Sequence, residues 1–178
     1  TTFPAYYAMF AQRHMHEFGT KREHLLEVAV KNHYYGALNP MALFRKEITL
    51  EKALASDPVS TPFQVYDCCA NADGAACVIL ASEDKAKAMS AKPVWLDGMA
   101  CATASMSVLR RPDLVGLPSA RDAAKIAYDM AGVGPEDIKV ADVHDCFTIA
   151  EILAYEDLGF CKKGEGGQFI ADKQTYVG

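Results

Sequence analysis

The stretch VADVHDCFTIAEILAYEDLG, Val140 to Gly159, constrains this chain more than any other. Ile138, Val140 and Val143 make an apolar run, and the polar trio His144, Asp145 and Cys146 follows it. From Phe147 the spacing becomes helical. Ile149, Ile152, Leu153 and Tyr155 recur at intervals of three and four, the mark of one buried helix side. Glu151, Glu156 and Asp157 are expected to face water, and Gly159 to stop the helix just past its last turn. The stretch therefore reads as a strand, a tight polar corner and a helix.

Such a corner suits catalysis. In extended backbone, residues two apart point the same way, so His144 and Cys146 would share a side and Asp145 would oppose them. Asp145 or Thr148 could cap the helix. Backbone N–H groups at a helix start favour a thiolate or an enolate, and a thiol there beside an imidazole is a candidate for a lowered pKa. Spacing alone equally fits a hydrogen-bonded histidine and a small buried hydrophobe. That is the commoner fate of such a pair, because free cysteine is among the most buried residue types.

With 178 residues, the chain can bury a sizeable core. Its 51% hydrophobic and 23% charged content is that of an ordinary globular protein. It has no apolar run long enough to span a membrane. A net charge of −5 argues against general binding to nucleic acid or anionic lipid. The six cysteines (68, 69, 77, 101, 146 and 161) include no Cys-x-x-Cys pair, so no metal site and no disulfide framework is expected. His14, His16, His24 and His33 are too scattered for a ligand set and are read as surface or packing residues. The given residues contain no basic n-region and no signal cleavage site. A cytoplasmic setting with reduced thiols is expected, with a peroxisomal one left open. The chain reads as a piece of a longer polypeptide.

Taken in order, Thr1 to Gly19 is expected to be helical, with Pro4 in its first turn. Thr20-x-x-Glu23 resembles a capping box ahead of a second helix whose buried side is Leu25, Val28 and Ala29. Tyr34 to Pro62 is loop-like, with a short helix after Thr49. Ala75–Ala81 and Pro93–Thr103 read as buried strands, with a helix from Glu83 to Met89 between them. Ser119 to Ala131 reads as an amphipathic helix ended by Gly132. CKKGEGGQ, from Cys161, reads as a flexible surface loop. Strands alternating with helices predict an α/β layered fold.

Three stretches carry a family resemblance: KNHYYGALNPMA (Lys31–Ala42), CCANADGAACVILASEDKA (Cys68–Ala86) and VHDCFTIAEILAYEDLGF (Val143–Phe160). In that order they resemble the thiolase superfamily. The likeness is to sterol-carrier-protein-type thiolases and the archaeal and bacterial acetyl-CoA acetyltransferases, whose branch is marked by an HDCF motif. The resemblance implies a thiolase-like fold of duplicated βαβαβ halves, of which this chain holds the central part. On that plan 1–62 is a loop-domain-like region, 63–92 the end of the first half and 93–178 the start of the second. It also implies a homodimer, acyl-CoA and coenzyme A as substrates, and no tightly bound cofactor.

His144 matches the position that helps hold a thioester oxygen as it becomes an oxyanion, and Cys146 the position that exchanges the α-proton. Asp145 is expected to orient the loop. No residue matches the family's nucleophilic cysteine. No Gly-His-Pro triplet is present, and Lys163 stands where a Cys-x-Gly loop starting at Cys161 would need glycine. The expected function is therefore part of a CoA-dependent acyltransferase making or cleaving 3-oxoacyl-CoA, inactive as this chain alone. The alternatives are a non-catalytic scaffold or partner subunit, and a thiolase-fold aldolase. CoA-contacting residues are not identifiable from sequence.

Overall fold

The computed structural model describes residues 2–177. Helix α1 spans Phe3–Phe18, α2 spans Arg22–Leu38, and a short α3 covers Leu50–Leu54. An antiparallel pair, β1 (Pro58–Ser60) and β2 (Phe63–Gln64), follows. Helices α4 (Glu83–Met89), α5 (Pro118–Ala131), α6 (Thr148–Asp157) and α7 (Gly166–Ala171) come after it. Local chemistry accounts for several bounds. Gly19 ends α1 as expected, and Thr49 Oγ1 accepts the Lys52 N–H at 3.2 Å to start α3. The expected capping box does not form. The Thr20 hydroxyl lies instead on His14 Nδ1 at 2.7 Å, and the Lys21 N–H meets His24 Nδ1.

Helix α6 is the centre of the molecule. All ten of its residues are buried, and α1, α2, α5 and α7 pack against it. Ile149, Ile152 and Leu153 are wholly buried, along with Phe10, Leu25 and Phe63 from the surrounding elements. Each such side chain contributes about 1.5–3 kcal/mol by leaving water.

The three acids of α6 do not face water, contrary to expectation; all three are buried. Glu151 accepts hydrogen bonds from Lys31 Nζ and the Tyr155 hydroxyl, and from Asn32 Nδ2 at 2.8 Å. Glu156 Oε1 meets His14 Nε2 and the Gly166 N–H, each at 3.0 Å. Asp157 accepts the Leu117 N–H at 2.5 Å and Lys163 Nζ at 3.0 Å. Every side of this short helix is covered by a neighbour, so periodicity could not place its polar face. The acids are tolerated inside because each is paired.

CKKGEGGQ is a surface turn only in its first part, Cys161–Glu165. Gly166 and Gly167 are buried and open α7, and a Cβ on Gly166 would sit 2.8 Å from Glu156 Oε1. The glycine is needed for that close approach. Gly159 does follow the last turn of α6, at φ +84°.

The segments Ala75–Ala81, Pro93–Thr103 and Ile138–Val143 form no ladder among the described residues. They run outside the core, and Val78, Ile79 and Leu80 are each close to 80% exposed. Their apolar pattern specifies burial, but a strand exists only with a hydrogen-bonding neighbour, and the described residues supply none. What remains of sheet pairing near the focal corner is one bridge, Cys68 opposite Phe147.

Two outcomes follow for stability. Asp67 is buried and holds Arg22 and the Thr148 hydroxyl. Asp67→Ala should therefore cost about 3–5 kcal/mol in urea unfolding. Burial acts to raise the Glu156 pKa, but His14, Lys163 and the Gly166 N–H outweigh it and hold the carboxyl below its ordinary 4.5. A depressed folded pKa gives stability that is complete above 4.5 and is lost as pH falls through the lower folded value. Urea midpoints should thus fall more steeply below pH 4.5 in the wild type than in Glu156→Gln.

Candidate functional site

The corner ahead of α6 is held residue by residue. The Cys146 carbonyl accepts the Cys69 N–H at 3.1 Å. Phe147 stacks on Phe63 and on Tyr7, with ring centroids 5.4 and 4.8 Å apart. The Thr148 hydroxyl donates to Asp67 Oδ1 at 2.6 Å. Neither expected cap forms: Phe147 takes the N-cap position without a side-chain hydrogen bond, and Thr148 is the first helical residue.

Upstream of these anchors, Asp145 accepts a hydrogen bond from Asn32 Nδ2 at 2.6 Å. It lies on the wall of an open cavity of about 710 Å³ between α2, α6 and the 135–143 segment. Lys31, Asn32, Glu151, Tyr155 and Tyr176 share that wall. Restricted access to water, and then the Glu151 carboxylate, push the Asp145 carboxyl above its ordinary value.

His144 is exposed and Cys146 is half-buried. Neither lines the cavity; the side chain that reaches it from this trio is Asp145. Cys146 rests against the main core beside Tyr7. Burial pushes its thiol up, and the neighbouring Tyr7 hydroxyl partly counters this. The lowered pKa considered for a thiol at a helix start is therefore not what this site produces. Desolvation outweighs the helix end, and the group is a protonated thiol at neutral pH. Tyr7 is itself raised to about 12, chiefly by burial.

The other cysteines divide clearly. Cys69, Cys77 and Cys101 are exposed, whereas burial raises Cys68 to about 11 and Cys161 to about 12. Of the histidines, His14 is fully buried in hydrogen bonds, and His33 stacks on Phe44 and meets Lys46 O at 3.0 Å. Among the described residues no group of three or more His, Cys, Asp or Glu is arranged to hold a metal ion. No helix among them is long and apolar enough to cross a membrane.

Sequence reasoning missed the supporting residues Tyr7, Lys31 and Asn32. Lys31 and Asn32 open the KNH stretch that carried the resemblance, yet nothing in their spacing linked them to residues more than a hundred positions away.

Comparison with known proteins agrees with this architecture. Residues 100–178 match a family described as thiolase C-terminal domain-like. The chain is 43% identical over 176 residues to an acetyl-CoA acetyltransferase of Methanothermobacter thermautotrophicus, covering 99% of this chain and 46% of that protein. It is 40% identical over 168 residues to the benzoylsuccinyl-CoA thiolase subunit BbsB of Thauera aromatica, covering 93% and 43%. A chain of the solved Ltp2-ChsH2(DUF35) aldolase superposes with a TM-score of 0.90 at 32% identity, over 99% of this chain and 48% of that one. Sequence and fold together place the chain in the thiolase superfamily. It spans less than half the length of the curated relatives named here. Because that superposition covers 99% of this chain, the segments that form no ladder lie within the backbone path shared with the aldolase chain.

The thiol assignments predict an order of alkylation in this chain. Iodoacetamide at pH 7.5, read by peptide mass spectrometry, should label Cys69, Cys77 and Cys101 first, and Cys68, Cys146 and Cys161 slowly. Tyr7→Phe should move Cys146 labelling to higher pH, because it removes the hydroxyl that lowers this thiol's pKa.

Proposed function

We propose that this chain is part of a CoA-dependent acyltransferase of the thiolase type, making or cleaving 3-oxoacyl-CoA by thioester Claisen chemistry. The observation that carries the proposal is the anchored corner, which leaves an exposed imidazole and a protonated thiol two residues apart on a rigid support.

In the whole protein a thiolate supplied by another part of the fold takes the acyl group as a thioester. A second acyl-CoA loses an α-proton, and the resulting enolate carbon attacks the thioester carbonyl and expels that thiolate. His144, with an N–H to donate, is suited to the oxygen that gains charge; one such donor is worth roughly 2.7–4 kcal/mol. Cys146 is suited to exchanging the α-proton. Its raised pKa keeps a proton on sulfur at rest, which suits an acid/base better than a standing nucleophile. On this reading the chain alone, lacking residues that match the other family loops, is inactive. Acyl-CoA is the substrate, and the two copies of a homodimer or a partner subunit complete the assembly.

The 0.90 superposition on an aldolase chain favours a second reading, carbon–carbon cleavage by the same scaffold working with a partner subunit. The two are separated by the need for coenzyme A. Thiolysis of acetoacetyl-CoA consumes free CoA, whereas retro-aldol cleavage of a 3-hydroxyacyl-CoA does not. In the full-length protein His144→Ala should lower thiolysis by roughly 10²–10³-fold. Cys146→Ala should slow α-proton exchange into acetyl-CoA while leaving acylation of the nucleophile largely intact; equal loss of both would remove the role given to Cys146.

A further inference from the structure

The cavity beside α6 contains an arrangement that the proposed chemistry does not use. Asn32 sits on α2, far from the His144–Cys146 loop in sequence, and its one amide nitrogen donates to two carboxylates. One bond runs to Asp145 Oδ2 at 2.6 Å and the other to Glu151 Oε2 at 2.8 Å. An NH2 group has two donors, and both are used here. The Glu151 end is immobile, because that carboxylate is buried and also held by Lys31 and the Tyr155 hydroxyl. The Asp145 end is the residue between His144 and Cys146. We propose that Asn32 is a positioning residue that ties the His144–Cys146 loop to the buried Glu151 through Asp145, fixing the direction in which the imidazole and the thiol are presented.

The physical case is local. Downstream of Cys146 the loop is anchored by the Cys69 N–H, the Phe147 stack and Thr148. Upstream, among the described residues, Asn32 is the one residue that hydrogen-bonds an Asp145 side-chain oxygen, and the His144 side chain makes no hydrogen bond. Releasing Asp145 would move the nearest anchor from the residue next to His144 to the Cys146 carbonyl, one residue further along. A misplacement of about 1 Å at a reacting group can lower a rate roughly 10²-fold.

This inference rests on the thiolase reading above, and its test separates the two. Thiolysis of acetoacetyl-CoA by the full-length protein would be measured from pH 5.5 to 9 for the wild type, His144→Ala, Asn32→Ala and Asn32→Asp. Melting temperatures would be recorded alongside. Asn32→Ala should lower kcat roughly 10²-fold with KM nearly unchanged, at every pH. Asn32→Asp should be as slow at neutral pH but regain rate relative to the wild type as pH falls. At neutral pH a third carboxylate would face Asp145 and Glu151, with Lys31 on α2, Tyr155 on α6, His144 on the loop, and Glu136, Lys139, Asp142 and Tyr176 on the cavity wall as the other titratable groups nearby. Once protonated, it can donate again.

Wild-type kcat in both Asn32 variants, with His144→Ala impaired, would overturn the positioning role alone. So would losses that follow the melting temperature, with no acid recovery in Asn32→Asp. A silent His144→Ala would remove the thiolase reading and this inference with it.

Discussion

The structure depends on one arrangement: a ten-residue helix carrying three carboxylates, buried on every side. An unpaired carboxylate in that position would lose several kcal/mol of hydration without return. The surrounding elements are therefore not interchangeable apolar covers. Helix α2 must bring Lys31 and Asn32, α1 must bring His14, and the segment after α6 must bring Lys163 and the Gly166 N–H. Apolar burial supplies the driving force, and the charge pairing selects which face of each neighbour can dock.

That selection carries through to the loop ahead of the helix. The same Glu151 that satisfies Lys31 inside the core shares the Asn32 amide with Asp145. The cavity wall and the protein interior are thus one hydrogen-bonded set. Asp67 plays the matching part at the other end of the corner, joining Arg22 on α2 to Thr148 at the start of α6. The presented groups, His144 and Cys146, make little structure themselves and are carried by residues that do.

Legibility followed the range of the interaction. Helices bounded by local chemistry were readable: Pro4 and Gly19 around α1, Thr49 before α3, and Leu25, Val28 and Ala29 on the buried side of α2. The thiolase likeness was readable because the stretches that carry it lie within continuous runs. The acids of α6 were misplaced because helical periodicity assumes one wet face, and this helix has none. The strand at Ala75–Ala81 was misread for a different reason. An apolar run states that a segment can be buried, while a ladder also requires a partner backbone. Gly166 looked like flexibility and is instead a requirement of close approach to Glu156.

By itself, the sequence determined α1, α3, α4, α5 and α6 with their stops, the start of α2, the thiolase likeness, and the pair proposed to react, His144 and Cys146. These are written in residues close together, where spacing and residue type act directly on the backbone. Only the tertiary structure decided that the acids of α6 lie inside, that Cys146 is a raised thiol rather than an activated one, and that Asp145 faces Asn32. Those outcomes turn on desolvation and on partners up to 142 residues apart, as with His14 and Glu156, and such quantities exist only after the chain has closed on itself.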